Sequence, residues 1–514
     1  MNMPVRGRRI FSLGIAVDFP DADTRAAMIR LRLTPANLPM ARRKLEHSGE
    51  HTTPISFNAA VELAMGLADF ERSTHHPGHS GFHLERMRLL SEELGGVHRG
   101  VSTVHVAGTK GKGSTAAMVT SILLSAGYKV GLFTSPHLHS VVERIRIGLE
   151  PIAKETYAAL LQQVWPAVQR VGADGGYGGV TFFELMTAMA FVHFKQAAVD
   201  FQVIEVGLGG RLDSTNVLTP AVSVITSISL DHVGTLGGTI EKIAVEKAGI
   251  IKPEAPVVVA PQVEADARSV FRKAAKENGS AIVEVQDRLS WTKSTADLNG
   301  QSFVVKGLRG EYELWLPLLG DYQLENAATA VAAVETLADC GTSLTEAHIA
   351  AGLRNVDWPG RFQTEESNGR RIVIDGAHNP YSMRRLVGAV RDYFEFDRVV
   401  LVYAALRGHS AQGMLAELAA LAPRVVVVKS RHPRSGQLEA AARSVMDAGL
   451  EVIGQSESVG VGLTTAIELA GSGDLILCTG SLSVAAEVTE ELHGIPPEMY
   501  PNLTGPTGRS DPAV

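Results

Sequence analysis

Short, almost uninterrupted apolar runs recur along this chain and constrain its fold more than any other feature. The runs at residues 101–107, 201–206, 221–227 and 256–261 alternate with stretches of helix length, such as 114–126. Strands of a parallel sheet are covered by helices on both faces, so they read as continuous apolar runs. The pattern therefore predicts an α/β architecture in which these runs are the strands of a parallel sheet.

A second alternating series follows in the last third of the chain. Its strand candidates lie near residues 372–375, 399–403, 425–428 and 475–478, with helical stretches between them. A chain of 514 residues exceeds what a single hydrophobic core usually supports. We therefore expect two α/β domains, joined near the turn-forming residues 357–360 (DWPG).

The two ends of the chain differ from this pattern. Residues 1–54 are irregular and rich in arginine, and they contain an Arg-Arg pair that resembles an export signal but lacks a clear cleavage site. We interpret them as a disordered extension or as the product of a wrongly chosen start codon. Residues 496–514 are rich in Pro, Gly and Ser and are expected to be a disordered tail. Between these ends we place a central domain at 55–356 and a smaller domain at 357–495.

Charge and cysteine content exclude several classes of protein. The 48 Lys and Arg against 55 Asp and Glu give a net charge of −7, which does not favour a nucleic-acid surface. Only Cys340 and Cys478 are present, so a disulfide framework and a thiolate zinc site are both excluded. No uncharged apolar run reaches the roughly 18 residues that cross a membrane. A reducing, cytoplasmic location is expected.

A glycine-rich turn follows the first apolar run. Residues 108–115 read GTKGKGST and lie between a predicted strand and a predicted helix. Glycine allows backbone conformations that turn consecutive N–H groups towards an anion, the helix N-terminus adds its dipole, and Lys112 can reach phosphate oxygens. The general P-loop pattern is not met, because Gly113 stands where Ser or Thr should follow the lysine. The turn predicts phosphate binding, and the alternative is a glycine turn that only joins strand to helix.

Three further residues near predicted strand ends are candidate metal ligands. Ser135, in the segment TSPHL at 134–138, is either a Mg²⁺ ligand or part of a helix-capping turn. Glu205 ends an apolar strand, where an unpaired buried carboxylate costs several kcal/mol, so a cation is its natural partner. His232 follows Asp231 at the expected end of the next strand and is either a structural histidine or a metal ligand. A histidine would be an unusual ligand for Mg²⁺.

Taken together, these motifs resemble the folylpolyglutamate synthase/dihydrofolate synthase family of the ATP-dependent Mur ligases. The resemblance spans roughly residues 56–492, and the order of the motifs is as specific as the motifs themselves. Gly113 after the lysine is this family's form of the loop, whereas Asn is more usual in place of Lys110. Further matches are EVGLGGRLD at 205–213, LDH at 230–232, EKAGI at 246–250, NAA at 326–328, PGRF at 359–362, DGAHNP at 375–380 and TGS at 479–481.

The resemblance implies a fold, a reaction and its substrates. The fold would be an N-terminal P-loop-type parallel-sheet ATPase domain followed by a smaller C-terminal Rossmann-like α/β domain. The reaction would be ATP-dependent addition of L-glutamate to folate, and also to dihydropteroate, through an acyl phosphate. Mg²⁺ and optionally K⁺ would be cofactors, and a monomer without nucleic-acid or membrane partners is expected. The alternatives are another Mur-type amino-acid ligase, a P-loop switch protein and a noncatalytic ATP- or folate-binding paralogue.

The resemblance also implies roles for particular residues. Nucleotide contacts would come from Thr109, Lys110, Gly111, Lys112, Gly113, Ser114, Asn326, Arg361 and Asp375. Metal ligands would be Ser135, Glu205, His232 and Lys247, the last of which is carbamylated in relatives. Folate and the incoming glutamate would be held by Phe82, Thr181, His378 and Ser481. The catalytic residues would be Lys112, Lys247, Arg361 and His378.

One loop departs from the family pattern. Relatives often carry a Gly-x-x-x-Asp-Lys-Asp segment after the strand at 399–403, whereas residues 404–410 read AALRGHS here. The contribution of that loop to substrate handling or domain closure is therefore open.

Overall fold

The computed structural model describes residues 54–71, 83–173 and 176–498. The predicted N-terminal extension, Phe82 and most of the predicted C-terminal tail therefore lie outside the described residues. The strands are β1 (Ser102–Ala107), β2 (Val130–Phe133), β3 (Ile145–Ile147), β4 (Glu150–Pro151), β5 (Phe201–Glu205), β6 (Val222–Ile225), β7 (Val257–Val259), β8 (Ile282–Glu284), β9 (Ser290–Asp297), β10 (Gly300–Lys306), β11 (Glu311–Leu316), β12 (Gln363–Ser367), β13 (Arg370–Ile374), β14 (Val399–Tyr403), β15 (Arg424–Val428), β16 (Glu451–Ser456) and β17 (Leu475–Thr479).

The α-helices occupy most of the sequence between the strands. They are α1 (Phe57–Met65), α2 (Leu84–Glu93), α3 (Lys112–Ser125), α4 (Lys154–Ala173), α5 (Phe182–Gln196), α6 (Val233–Leu236), α7 (Ile240–Ala248), α8 (Ala265–Glu277), α9 (Val285–Arg288), α10 (Asp321–Asp339), α11 (Glu346–Arg354), α12 (Pro380–Tyr393), α13 (Ala411–Leu418), α14 (Leu438–Asp447), α15 (Val459–Leu469) and α16 (Leu482–His493). No described helix has the length and apolar character needed to span a bilayer.

An eight-stranded sheet with the order β4-β3-β2-β5-β1-β6-β7-β8 forms the N-terminal half of the described chain. The six strands from β2 to β8 in this order pair in parallel, and β3 and β4 add an antiparallel edge. Consecutive residues of β5 enter opposite cores: Val203 packs with α3 and α10, and Ile204 packs with α4 and α5. The predicted parallel sheet with both faces covered is confirmed.

A six-stranded sheet forms the C-terminal half, in the order β12-β13-β17-β14-β15-β16. All pairs are parallel except β12 with β13. Apolar clusters cover both faces, so Val373 and Ile374 of β13 again point into different cores. The expected α/β fold class is confirmed, whereas the exact domain boundaries remain a prediction.

Several strands were not predicted, among them β2, β3, β4, β8 and β12. Strands β9, β10 and β11 form a separate antiparallel sheet, and β16 lies at the edge of the six-stranded sheet. These strands are partly exposed, so their sequences mix polar with apolar residues instead of forming continuous apolar runs.

Candidate active site

A cavity of about 690 Å³ lies between the two halves, where the loops after β1, β5, β13 and β17 meet. The carboxyl ends of parallel strands are the usual ligand sites of such folds. Of the residues predicted from the sequence to act in the site, all that the structure describes line this cavity. They are Thr109, Lys110, Gly111, Lys112, Gly113, Ser114, Ser135, Thr181, Glu205, His232, Lys247, Asn326, Arg361, Asp375, His378 and Ser481.

The glycine-rich turn connects β1 to α3, as predicted, and α3 begins at Lys112, two residues before the predicted start. Gly111 precedes it with φ of 88°, a left-handed conformation that favours glycine. A Cβ at Gly111 would lie 2.3 Å from Oδ1 of Asn326, so glycine also permits close approach of α10. Within the described chain no side chain caps the start of α3, which leaves its N–H groups available to an anion.

Packing explains why glycine replaces the usual hydroxyl residue after the lysine. A Cβ at Gly113 would lie 3.2 Å from the Trp358 ring, which is closer than ordinary van der Waals contact. Trp358 comes from the segment that joins the two halves, and it packs against the core beneath α3. The departure from the general P-loop pattern therefore places the connecting segment against the phosphate turn.

Lys247 is a buried residue of α7, with 4% of its surface exposed. Its Nζ donates a hydrogen bond to the carbonyl oxygen of Gly108 at 2.7 Å, directly beneath the turn. Burial, together with the charge of Lys112, lowers the pKa of Lys247 to about 7. Lys247 therefore points into the protein and not towards solvent.

Glu205 ends β5 as predicted and is 4% exposed. Its Oε2 accepts a hydrogen bond from the backbone N–H of Ser135 at 3.1 Å. Burial raises the pKa of Glu205, and the nearby Lys112 charge opposes this shift. A buried carboxylate beside a hydroxyl suits Mg²⁺, which typically uses one or two carboxylates together with ligand phosphates and water. The described residues contain no cluster of three or more His, Cys, Asp or Glu side chains suited to a metal.

Asp231 and His232 lie differently from the prediction. Strand β6 ends at Ile225, so both residues belong to the following loop rather than to the strand end. His232 immediately precedes the short helix α6 with φ of 48°, and its side chain is 38% exposed. The prediction that His232 ends a buried strand is therefore wrong, and its role as a metal ligand remains a prediction.

A polar cluster joins the two halves across the cavity. Asp231 Oδ2 accepts hydrogen bonds from Lys110 Nζ at 2.9 Å and from Asn379 Nδ2 at 3.1 Å. His378 Nδ1 lies 2.8 Å from the Gly376 carbonyl, so Nδ1 carries the proton and Nε2 accepts from Lys110. Burial and the Lys110 charge hold the pKa of His378 well below its usual range. A neutral imidazole therefore faces the cavity.

Arg361 and Asp375 lie at the edge of the C-terminal half. Asp375 follows β13, and its carboxylate accepts hydrogen bonds from the backbone N–H groups of Phe362 and Ala377, both at 2.8 Å. Burial raises the pKa of Asp375, and Arg361 acts in the opposite direction. Arg361 Nη1 donates to the Gly360 carbonyl at 3.0 Å and otherwise faces the cavity.

Thr181 and Ser481 are both helix N-caps. Thr181 accepts from the Glu184 backbone N–H at 3.2 Å, and its own hydroxyl donates to the Glu184 carboxylate at 3.0 Å. Ser481 accepts from the Val484 N–H at 3.2 Å and is 1% exposed. Their roles in substrate binding remain predictions, because capping already accounts for these hydroxyl contacts.

Several charged residues of the cavity were missed. Arg86 pairs with Glu184 at 2.7 Å, and Arg431 pairs with Glu490. Arg434 and His409 also line the cavity, on loops that follow β15 and β14. The basic run at 430–434 (SRHPR), directly after an apolar strand, was a usable signal, because polar residues at the carboxyl ends of parallel strands often meet in a site.

Comparison with known proteins matches two family models to this chain. Residues 152–334 match the Mur ligase middle domain, and residues 360–482 match the Mur ligase glutamate ligase domain. A Bacillus subtilis dihydrofolate synthase/folylpolyglutamate synthase is 35% identical over 80% of this chain and 94% of its own length.

Solved structures agree with these sequence matches. A Mycobacterium tuberculosis folylpolyglutamate synthase complexed with ADP superposes with a TM-score of 0.78 and 33% identity, covering 86% of this chain and 99% of that one. The Escherichia coli FolC in complex with DHPP and ADP gives a TM-score of 0.74 and 31% identity, covering 86% and 98%. With its motifs, its two sheets and the cavity between them, the chain belongs to the folylpolyglutamate synthase/dihydrofolate synthase family of Mur ligases.

Proposed function

We propose that this protein is an ATP-dependent ligase that joins the amino group of L-glutamate to a carboxylate of folate, and also of dihydropteroate. The observation that carries the proposal is a single cavity in which the phosphate turn and Lys112 face Arg361 and Asp375 of the other half. The named relatives add support, because they carry both synthase names and are solved with ADP.

The chemistry follows from the charges in the cavity. A carboxylate is a poor acyl donor, because oxide would have to leave. Transfer of the γ-phosphoryl group of ATP gives an acyl phosphate, from which phosphate leaves when the glutamate amine attacks, and an amide and ADP result. This sequence requires alignment and neutralisation of negative charge rather than a covalent enzyme intermediate. In the proposal, this alignment and neutralisation come from Lys112, Arg361 and the uncapped start of α3.

Mg²⁺ would be held by Glu205 and Ser135, with His232 and a carbamylated Lys247 serving a second ion, and it would neutralise phosphate charge. Lys247 suits carbamylation because a pKa of about 7 leaves much of the amine neutral and reactive towards CO₂ at neutral pH. Asn326, Thr109 and Lys110 would contact the nucleotide, and Thr181, His378 and Ser481 the folate and glutamate. The protein would act as a cytoplasmic monomer, with K⁺ as an optional further ion.

The decisive experiment supplies purified protein with ATP, Mg²⁺ and labelled L-glutamate, and offers dihydropteroate and tetrahydrofolate separately. We expect label in both products and stoichiometric ADP. Incorporation with only one acceptor would restrict the activity to that acceptor. Binding of ATP without glutamate-dependent phosphate release would instead identify a noncatalytic paralogue, and ligation of a peptidoglycan precursor would identify another Mur-type ligase.

A further inference from the structure

Arg434 is a buried cation that forms no salt bridge with any carboxylate of the described residues. Asp231 lies within electrostatic range, but its oxygens already accept from Lys110, Asn379 and the His232 N–H. Three arginines are buried in the described chain: Arg86, Arg144 and Arg434, which is 8% exposed. Arg86 pairs with Glu184 and Arg144 pairs with Glu71. Around Arg434 the described residues supply only backbone carbonyls as hydrogen-bond acceptors. A buried charge without a hydrogen-bonded counter-charge is costly, so this position favours an anion from outside the protein.

The hydrogen bonds of this guanidinium leave part of it available. Nε and Nη2 donate to the Arg407 carbonyl at 3.1 and 2.7 Å, and Nη1 donates to the Glu71 carbonyl at 3.3 Å. A guanidinium carries five N–H groups, so these three bonds leave two of them, one on each terminal nitrogen. Arg434 lines the cavity, and a carboxylate is the ligand that matches a guanidinium fork.

The loop that departs from the family pattern builds this arrangement. The Arg407 backbone N–H donates to the Arg434 carbonyl at 2.8 Å, and the Arg407 carbonyl accepts a hydrogen bond from the Arg434 guanidinium. Gly408 has φ of 93°, and a Cβ there would lie 3.0 Å from Nη2 of Arg434. Glycine at 408 therefore allows the loop at 404–410 to close over the guanidinium.

Arg434 shares a wall of the cavity with two histidines. His409 Nδ1 lies 2.7 Å from the His378 carbonyl, and the two rings meet edge to face at 5.2 Å. Burial lowers the pKa of His409, and the charge of Arg434 adds to that effect, which places the guanidinium within electrostatic reach of the ring. The anion site therefore lies on the same wall of the cavity as His409, whose ring packs against that of His378.

We propose that Arg434 binds a nonreacting carboxylate of a glutamyl group. This inference rests on the proposed function and assigns a specificity residue to it. Such a carboxylate has two sources: the incoming L-glutamate, and the glutamyl tail already attached to a folate acceptor. Proximity to His378 favours the incoming L-glutamate, and dihydropteroate, which lacks a glutamyl tail, separates the two sources.

The test compares steady-state constants of the full chain with Arg434→Gln, Arg434→Lys and the matched control Arg384→Gln. Arg384 lies on α12, 71% exposed, and pairs with Glu417 away from the cavity. We expect Arg434→Gln to raise the KM for L-glutamate roughly tenfold or more with either acceptor, as the loss of a charged hydrogen bond implies. The KM for ATP should stay within about twofold, and Arg434→Lys should fall between wild type and Arg434→Gln.

A rise in KM confined to tetrahydrofolate, with dihydropteroate unchanged, would assign Arg434 to the glutamyl tail instead of the incoming amino acid. Unchanged KM values for all three carboxylate substrates would overturn the proposal. Equal losses in the KM values for all substrates would overturn it. So would a lower melting temperature without a selective change in any KM, because either result would show that Arg434 only stabilises the structure. If Arg434→Gln does not fold, Gly408→Ala displaces the guanidinium and should show the same selective effect. Absence of glutamate ligation in the wild type would instead refute the proposed function.

Discussion

Lys110 Nζ lies 2.6 Å from Nε2 of His378, and this contact connects the phosphate turn of one half to the opposite wall of the cavity. The geometry requires an unprotonated Nε2, because the lysine ammonium can only donate. Asp231 completes the group by accepting from the same ammonium at 2.9 Å. A substitution of Lys110 in the phosphate turn therefore changes the surroundings of His378, the histidine expected to bind the incoming glutamate.

Replacing Lys110 by asparagine, the more usual residue of the family, should keep ligase activity and raise the pKa of His378. The Lys110 charge is one of the causes that lower this pKa, so its removal acts in the opposite direction. NMR titration of the imidazole in wild type and Lys110→Asn measures the shift. Asp231→Asn is the matched control, because Asp231 raises the pKa of His378 and its neutralisation should lower it. An unmoved His378 titration in Lys110→Asn would contradict the contact.

Lys112→Ala should remove nearly all ligase activity while leaving the protein folded. Lysine placed against transferring phosphates contributes several kcal/mol to the transition state, and Lys112 lies at the first residue of α3, in the cavity. Activity and a circular dichroism melt are measured together. Lys273→Ala, on the exposed surface of α8, is the control and should match wild type. A folded, fully active Lys112→Ala protein would refute the assignment.

Arg361→Ala should abolish closure of the two halves on ATP. Arg361 belongs to the C-terminal half, yet it is expected to contact nucleotide held mainly by the N-terminal half. Small-angle scattering with and without ATP reports the change in radius of gyration, and we expect a decrease in wild type only. Nucleotide binding itself should survive the substitution. Full closure together with full activity in Arg361→Ala would exclude the bridging role.

Glu487→Gln should change the pH dependence of stability. Burial raises the pKa of Glu487 to about 7, although Arg431 opposes the shift. Between the ordinary value of 4.5 and about 7, the folded state binds more protons than the unfolded state, so this group destabilises the protein progressively as pH rises. The stability of Glu487→Gln relative to wild type should therefore increase across that window, by at most about 1.4 kcal/mol per pH unit, and then level off. Urea unfolding at pH 5, 6, 7 and 8 tests this; a constant difference would contradict it.

Most of the parallel strands, though not β2, β8 or β16, were predictable from sequence because their physical cause is local. Strands buried on both faces are largely apolar, so β1, β5 and β14 are visible as runs. The antiparallel strand β9 is largely exposed and mixes polar with apolar residues, so no run marks it. Its position depends on contacts with β10, which a one-dimensional pattern does not contain.

Some residues of the candidate site could likewise be predicted from the sequence, and others could not. The phosphate turn and Glu205 were predictable, because each lies next to a buried strand within a recognisable motif. The partners of Arg434 were not, because Arg407 and Glu71 lie 27 and 363 residues away in the chain. A buried arginine is unusual only once its surroundings are known, and those surroundings come from tertiary packing.

Lys247→Ala should lower ligase activity sharply, and added acetate should restore part of it. The substitution removes the amine that lies 2.7 Å from the Gly108 carbonyl and that would carry the carbamate. A small carboxylate then occupies the vacated space and supplies the negative charge that the carbamate would place beside a cation. Lys242→Ala, on the same helix but exposed, is the matched control and should need no acetate. Mass spectrometry after trapping of the carbamate, in bicarbonate at neutral pH, gives an independent readout. An unmodified Lys247, together with an acetate-insensitive variant, would show that the buried amine acts without CO₂.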